Sequence, residues 1–283
     1  MGLTETPQVQ QLIDQTLAED LGWGDVTTEA LVPDTQQGKA SIIARAKGII
    51  AGTEIAKQVF LKVDSKLKMD ILIKDGTQVK PGDVIARIEG KISSTLKGER
   101  VALNFLQRLS GIASETARYV ESVTGLPVNI TDTRKTTPGL RTLEKYAVQI
   151  GGGKNHRMHL GDGILIKDNH LAALRKEGLS IKEIVARARQ KALPEMKIEI
   201  EVKTTKEAIE AAEAGADVIM LDNMNLEDMR QAVQLIKGRA LIEASGGINL
   251  ERVRAVAETG VDLISIGALT HSPKALDISL ELD

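Results

Sequence analysis

The stretch of sequence that decides the fold is KIEIEVKTTKEAIEAAEAGADVIML, residues 197–221. It opens with an apolar run at 197–202 and closes with another at 217–221. Between them, at 206–214, apolar side chains recur at three- and four-residue spacing. This alternation is typical of a βαβ unit, in which a helix joins two parallel strands and packs on the sheet.

The same alternation continues on both sides of this unit and makes about six parallel strands. That number favours a β/α barrel over a doubly wound sheet, because the chain lacks the glycine-rich nucleotide fingerprint of the latter. The additional predicted strands are 128–130, 163–166, 240–244 and 262–266, and the additional predicted helices are 226–237 and 250–258.

The first hundred residues follow a different pattern. An amphipathic helix at 9–19 precedes strand-like segments at 39–46, 67–73 and 83–89, which are joined by Asp-Gly and Pro-Gly turns. This pattern indicates a separate α+β domain. Residues 94–123 then predict a long helix that is broken near Gly111.

The predicted domain boundary lies close to that break. The ending DISLEL, residues 277–282, predicts a strand that returns to the first domain. The predicted domains are therefore residues 1–112 together with the C-terminal strand region 273–283, and residues 113–272 for the barrel.

Composition excludes several classes of function. A chain of 283 residues with a net charge of −2 exerts no long-range attraction on nucleic acid or anionic lipid, and its one Trp, two Tyr and two Phe leave few rings to stack on bases. Without cysteine it has no disulfide, thiol nucleophile or thiolate metal site. The acidic N-terminal segment and the lack of a long apolar run predict a cytoplasmic protein that binds neither nucleic acid nor membrane.

Cations are concentrated in residues 131–170, TDTRKTTPGLRTLEKYAVQIGGGKNHRMHLGDGILIKDNH, which hold seven Lys or Arg and three of the four His. The guanidinium of Arg binds a carboxylate or phosphate bidentately, and the glycines at 151–153 let backbone N–H groups approach an oxyanion. A solvated basic surface is the alternative. Because the cations alternate with strand-like runs, we instead predict a binding site for a polyanion.

Charged or small polar residues follow every predicted barrel strand, and the carboxyl ends of parallel strands meet at one rim, where barrel active sites form. Each short motif alone could be a turn or a helix cap, but together they predict a single site. These strand ends are residues 132–135, Lys167 and Asp168, Glu201, Asp222, residues 245–247 and residues 265–267.

The rim has two predicted sides. A phosphate monoester would fit two loops, Ser245-Gly246-Gly247 and Ser265-Ile266-Gly267. The first of these loops precedes a helix that is expected to start near Asn249. Glu201 and Asp222 could hold sugar hydroxyls or a Mg²⁺ that is carried by a diphosphate. A transition-metal site at His156, His159 and His170 is the alternative, but their spacing matches no zinc motif and the nearby cations would oppose a dication.

Six segments, together with EDLGWGDVTT at 19–28 and LNFLQRLSGIA at 103–113, resemble the signature sequences of the quinolinate phosphoribosyltransferase family over nearly the whole chain. The resemblance implies an open α/β barrel in a two-domain enzyme that works as a homodimer or as a hexamer of dimers. The six segments are DTRKTTPGLR (132–141), GGGKNHRMHLGDGILIKDNH (151–170), EVKT (201–204), MLDN (220–223), EASGGI (243–248) and SIGALTHS (265–272).

The resemblance also implies the reaction. Quinolinate and phosphoribosyl pyrophosphate would give nicotinate mononucleotide, pyrophosphate and CO₂ with Mg²⁺, in NAD biosynthesis. In this family the quinolinate site would comprise Thr133, Arg134, Lys135, His156, Arg157, Lys167 and, from the neighbouring subunit, Arg100. The phosphoribosyl site would comprise Glu201, Asp222, Ser245, Gly246, Gly247, Ser265, Ile266 and Gly267, with Lys135, Lys167, Glu201 and Asp222 catalytic and the two acids near the metal.

Three other interpretations compete. A phosphate-binding barrel isomerase or epimerase would share the late loops but would not need the Arg-Lys-His-Arg cluster. A phosphoribosyltransferase for another acidic ring would differ only in the shape of its pocket. The segment DGTQVKPGDVIARIEG, residues 75–90, resembles a hairpin of lipoyl or biotinyl carrier domains, but no second hairpin presents an acceptor Lys.

Overall fold

The computed structural model describes residues 3–283, and these residues form two compact units. The first unit comprises the described residues up to 117, residues 137–152 and residues 272–283, and the second comprises residues 118–136 and 153–271. The domain prediction assigned residues 137–152 to the barrel. In the structure they belong to the first unit instead, as do residues 113–117 and residue 272, which were also predicted in the barrel.

The first unit is built on a four-stranded antiparallel sheet in the order β12-β1-β5-β3, with β2 and β4 as a separate pair. Along β1 the buried side chains alternate, as expected for a strand with one face in the core. The strands are β1 Gln37–Ala44, β2 Gly48–Ile49, β3 Lys68–Ile71, β4 Gln78–Val79, β5 Val84–Lys91 and β12 Ile278–Leu282. The helices are α1 Pro7–Leu21, α2 Val26–Leu31, α3 Thr53–Val63, α4 Ile92–Ser122, which continues into the second unit, and α5 Arg141–Ile150.

The predicted break near Gly111 is wrong, because α4 is continuous through this residue. Gly111 serves close packing instead. A Cβ at Gly111 would collide with the carbonyl oxygen of Lys274, so only glycine lets the chain pass this close to the helix. A glycine within a helical pattern can mark either a break in the helix or a close contact between the helix and another segment. The sequence alone does not distinguish these two cases.

The second unit contains the predicted parallel sheet of six strands, in the order β6-β11-β10-β9-β8-β7, with β6 and β7 at its edges. This confirms the open α/β barrel. On α8 the small side chains of Ala208, Ala211 and Ala212 are buried. The strands are β6 Asn129–Thr131, β7 Ile164–Ile166, β8 Ile198–Val202, β9 Val218–Asp222, β10 Leu241–Ser245 and β11 Leu263–Ser265. The helices are α6 Asp168–Lys176, α7 Ile181–Lys191, α8 Thr205–Glu213, α9 Leu226–Ile236, α10 Val253–Ala257 and α11 Ala268–His271.

The structure also decides two smaller predictions. The helix expected to start near Asn249 begins at Val253, after a turn in which Asn249 Oδ1 accepts the Arg252 N–H (3.0 Å). The carrier-like segment 75–90 is divided between two sheets, since β4 pairs with β2 and β5 pairs with β1 and β3. Within residues 3–283, no helix has both the length and the apolarity needed to cross a bilayer.

Candidate active site

A polar cavity of about 470 Å³ lies at the carboxyl ends of the strands in the second unit. Ten of its lining residues were predicted from the sequence: Thr133, Arg134, Lys135, His156, Arg157, Lys167, Glu201, Asp222, Ser245 and Ser265. The lining also includes Leu165, Asp168, Asn169 and Met220. Of these four, Asp168 was noted as a strand end, and the other three were missed.

Strand register explains why these side chains converge. Glu201 is opposite Met220 in the β8 and β9 pair, and Asp222 is opposite Ser245 in the β9 and β10 pair. Since side chains two residues apart lie on the same face of a strand, Glu201, Met220 and Asp222 share one face. Met220 was therefore identifiable in principle from the same alternation that revealed the strand.

Two arginines line the cavity and sit close enough to influence one another. The Nε of Arg134 is buried and has no hydrogen-bond partner. Arg157 donates from Nη1 to the carbonyl of Gly163 at 2.9 Å, and burial together with the nearby Arg134 charge lowers the pKa of Arg157. Because a guanidinium stays protonated in proteins, the pair is a fixed double positive charge that favours an anionic ligand.

The side chains of Lys135 and Lys167 are exposed, unlike those of the two arginines. Hydrogen bonds hold the backbone of both lysines in place. The Lys135 N–H donates to Thr133 Oγ1 at 3.0 Å, and its carbonyl accepts from Thr270 Oγ1 at 2.8 Å. The Lys167 N–H donates to His170 Nδ1 at 2.9 Å, where α6 begins. Each lysine is thus held at its backbone, and its flexible side chain can place an ammonium group against an anionic ligand.

The acidic side of the cavity is Glu201 and Asp222. Burial, then the negative charges of Asp222 and Asp168, raise the pKa of Glu201 above its usual value. The excess of negative charge is partly relieved by Lys203, whose Nζ lies 3.3 Å from Asp168. A positive ligand atom or metal ion at this side would therefore be stabilised.

The two predicted phosphate loops contribute mainly through their serines. Ser265 Oγ is buried and makes no hydrogen bond of standard geometry, although it is near enough to the Glu243 carboxylate to lower its pKa. Gly246, with φ +93°, approaches the Asn223 side chain so closely that a Cβ would collide with it, and a Cβ on Gly267 would meet Lys135 Cδ at 3.0 Å. Gly246, Gly247, Ile266 and Gly267 belong to these loops but do not line the cavity, and Arg100 is an exposed residue of α4 in the first unit.

The three histidines of the cation-rich segment do not form a metal site. His170 caps α6, and the His159 N–H donates to Asp162 in an exposed loop (2.8 Å). Within residues 3–283, the one group of three potential metal ligands within 4.8 Å of one another contains His156, Glu199 and Glu243. Glu199 and Glu243 were not predicted, although an acid inside an apolar strand is a detectable signal in IEIEV and LIEAS.

Comparison with known proteins gives consistent matches over nearly the whole chain. The model of the quinolinate phosphoribosyl transferase N-terminal domain matches residues 25–110, and that of the C-terminal domain matches residues 112–281. A probable nicotinate-nucleotide pyrophosphorylase (carboxylating) of Bacillus subtilis (strain 168) is 46% identical over 275 residues, which cover 97% of this chain and 93% of the relative. Quinolinate phosphoribosyltransferase (decarboxylating) 1 of Nicotiana glauca is 42% identical and covers 98% of this chain and 83% of its own.

Solved structures agree. NadC from Streptococcus pyogenes has a TM-score of 0.94 at 44% identity, with 98% of each chain covered. The nicotinate-nucleotide pyrophosphorylase from Francisella tularensis has a TM-score of 0.92 at 36% identity, with 100% of this chain and 99% of the other covered. Both domain models and these relatives span the two units described above, and the chain therefore belongs to the quinolinate phosphoribosyltransferase family.

Proposed function

We propose that the chain transfers the phosphoribosyl group of phosphoribosyl pyrophosphate to quinolinate and decarboxylates the product, giving nicotinate mononucleotide, pyrophosphate and CO₂ for NAD biosynthesis. The observation that carries this proposal is the pairing, in one cavity, of Arg134 and Arg157 with the acidic pair Glu201 and Asp222. A dicarboxylate fits the first pair, and a sugar that gains positive charge fits the second.

The arginine side would bind quinolinate. Two adjacent carboxylates need two cationic partners. The buried Nε–H of Arg134 is a hydrogen-bond donor that has no acceptor among the described residues. Arg157 is already oriented by the Gly163 carbonyl. The apolar side chains of Leu165 and Met220 supply surface against which a pyridine ring can pack.

The acidic side would face the ribose. When pyrophosphate departs, positive charge develops on the sugar ring, and carboxylates there lower the energy of the transition state. Lys135 and Lys167 would take the opposite charge on the leaving group. Ser245 and Ser265, with the glycine loops beside them, would hold the 5′-phosphate through hydroxyl and backbone N–H donors.

Magnesium fits the same acidic pair. Mg²⁺ is usually bound by one or two carboxylates together with substrate oxygens and water. Burial, then the charges of Asp222 and Asp168, raise the pKa of Glu201, and a bound cation would favour its charged form. When bound with the substrate, the ion would neutralise charge on the pyrophosphate. Glu201 and Asp222 would hold it directly or through water.

The ring nitrogen of quinolinate would then attack the sugar carbon as pyrophosphate leaves. The quaternised ring would stabilise the electron pair left on the ring carbon when the adjacent carboxylate departs as CO₂, and a proton from solvent would then bond to that carbon. This chemistry requires no protein nucleophile. It agrees with a chain that has no cysteine and with a cavity lined by binding groups rather than by a Ser-His-acid triad.

Product analysis tests the proposed function. Pure protein mixed with quinolinate, phosphoribosyl pyrophosphate and Mg²⁺ is expected to release nicotinate mononucleotide and CO₂ in equal amounts, as measured by chromatography and trapped gas. Nicotinate in place of quinolinate should give almost no product, because one carboxylate leaves half of the cation pair unsatisfied. Reactions without Mg²⁺ serve as the control. Efficient turnover of nicotinate, or product without CO₂, would instead indicate a transferase for another acidic ring.

We also propose that the protein works as a homodimer, alone or within a hexamer, in which Arg100 completes the site of the neighbouring subunit. Arg100→Ala and Arg157→Ala should then each be inactive alone but should regain activity when the subunits are mixed. In a mixed dimer, the subunit with Arg100→Ala keeps its own Arg157 and receives an intact Arg100 from its partner. Random mixing should restore roughly a quarter of all sites.

The complementation is measured as activity after subunit exchange, with exchange itself followed by native mass spectrometry. Lack of recovery despite complete exchange would remove Arg100 from the neighbour's site. Appreciable activity of Arg100→Ala by itself would show that Arg100 is an ordinary surface arginine.

A further inference from the structure

A second group of ionisable side chains lies inside the barrel, two residues before the acidic and serine positions of the cavity. Glu199 and Glu243 occupy the same strand faces as Glu201 and Ser245, and they are only 7% and 1% exposed. His156 Nε2 lies 3.1 Å from Glu199 Oε2 and 3.6 Å from Glu243 Oε2. The proposed function assigns no role to either glutamate.

The hydrogen bonds of His156 determine where its ring proton resides. Nδ1 accepts the backbone N–H of Arg157 at 2.8 Å, so in the neutral ring the proton is on Nε2. That N–H points at Glu199 and Glu243. The backbone N–H of His156 donates to the buried Asp132 at 2.8 Å, which holds the residue from the other side.

Glu243 differs from Glu199 because no hydrogen bond of standard geometry reaches its carboxylate, although the Ser265 hydroxyl is near enough to lower its pKa. A buried carboxylate without partners is costly when charged. Burial, then the charge of Glu199, raises the pKa of Glu243 to about 7, while His156 acts in the opposite direction. Glu243 is therefore harder to ionise than an exposed glutamate.

A metal ion is the alternative occupant, since His156, Glu199 and Glu243 could supply three ligand atoms. The tautomer argues against it. A ring nitrogen that binds a metal must present its lone pair, whereas Nε2 carries the proton here. The guanidinium of Arg157 is also close enough to interact with Glu199, and it would repel a dication.

We propose that Glu199 is a positioning residue that accepts from His156 Nε2 at 3.1 Å and so fixes the ring and, through it, the backbone of Arg157, with Glu243, at 3.6 Å from the same nitrogen, as a secondary contact. Arg157 is then held at both ends, by the ring nitrogen at its N–H and by the Gly163 carbonyl at its guanidinium. The inference rests on the proposed function for the identity of the substrate, because the group that Arg157 would bind is a carboxylate of quinolinate.

The first test is spectroscopic and uses the ligand-free wild-type protein. Nitrogen-15 correlation spectra of the His156 ring are expected to show a protonated Nε2 and an unprotonated Nδ1. Assignment comes from a His156→Gln sample, in which these signals disappear. A ring protonated at Nδ1, or a stoichiometric bound metal that Glu243→Gln loses, would overturn the proposal.

The second test separates positioning from general stability. Glu199→Ala should abolish the Nε2 signature and weaken quinolinate binding by about tenfold or more, because the ring loses its hydrogen-bond acceptor. Glu199→Gln keeps an acceptor oxygen and should recover most of the affinity. Glu243→Gln keeps the shape of the side chain and an oxygen beside the ring, and should stay within about threefold of wild type.

Glu195→Ala is the matched control, because Glu195 is exposed and lines a neighbouring cavity that also contains Glu199 and Glu243. It should change neither the ring spectrum of His156 nor the binding of quinolinate.

Wild-type affinity in a folded Glu199→Ala protein would overturn the proposal. If Glu199→Ala does not fold, the ring spectrum of Glu199→Gln decides: a shifted Nε2 resonance supports the proposal, and an Nε2 resonance identical to that of wild type contradicts it. If wild type binds no quinolinate, the proposed function fails, and the ring spectra still decide the role of the glutamates.

Discussion

Alanine at Arg134 or at Arg157 is expected to weaken quinolinate binding by about 30-fold to several thousand-fold, which corresponds to about 2 to 5 kcal/mol for a desolvated charge pair that loses one partner. Each arginine offers donors that an aliphatic residue cannot replace. The two variants should therefore be among the most severe single substitutions in the chain. Isothermal titration calorimetry with quinolinate measures the effect directly.

Arg230→Ala is a suitable control for the arginine variants. Arg230 is on α9, outside the cavity, and makes only a 3.7 Å ion pair with Glu227 at the surface. Its loss should leave binding unchanged, since surface pairs contribute little. Circular dichroism should show that all three variants fold. Wild-type affinity in both Arg134→Ala and Arg157→Ala would mean that the cavity binds its anion elsewhere.

Glu201→Ala and Asp222→Ala should act at another step and lower kcat by about 10²- to 10³-fold, the effect of removing one electrostatic contact to a transition state. Quinolinate affinity should change far less, because these acids face the ribose and not the pyridine ring. A loss in kcat without a loss in affinity identifies an interaction made mainly in the transition state.

Steady-state kinetics and calorimetry on the same protein samples separate the two effects. The amides Glu201→Gln and Asp222→Asn keep the shape of each side chain and remove the charge, so they should lose nearly as much turnover as the alanines. Glu227→Gln, an exposed carboxylate outside the cavity, controls for a general change of charge. Turnover preserved in the amide variants would show that charge at this position is not what the reaction needs.

The parallel sheet could be predicted from sequence because its strands are short, buried and separated by helices. The predicted run at 197–202 begins one residue before β8, and the run at 217–221 is shifted by one residue from β9 at both ends. A run of apolar side chains defines a buried strand well, but its limits depend on hydrogen bonds to neighbouring strands. Gly111 and Asn249 were misinterpreted for a related reason, since their roles depend on residues distant in sequence or on a turn.

The rim of the cavity was predictable for a different physical reason. Parallel strands bring their carboxyl ends together, so the residues after each strand converge without knowledge of the tertiary structure. Residues inside the sheet are harder to anticipate. Glu199 and Glu243 converge only because of strand register and stagger, and register cannot be read from one strand alone.

The close approach of Asn223 to Gly246 limits how this active site can change. Asn223 is the one non-glycine residue with positive φ in the described chain, and its N–H donates to the Ser245 carbonyl at 2.9 Å. Any side chain at Gly246 would have to displace the Asn223 side chain, and Asn223 itself tolerates few replacements at its backbone angle. A substitution in the segment expected to hold the ribose therefore requires a change in the segment expected to hold its phosphate. New substrates should accordingly be accommodated more readily at the arginine side of the cavity than at the sugar side.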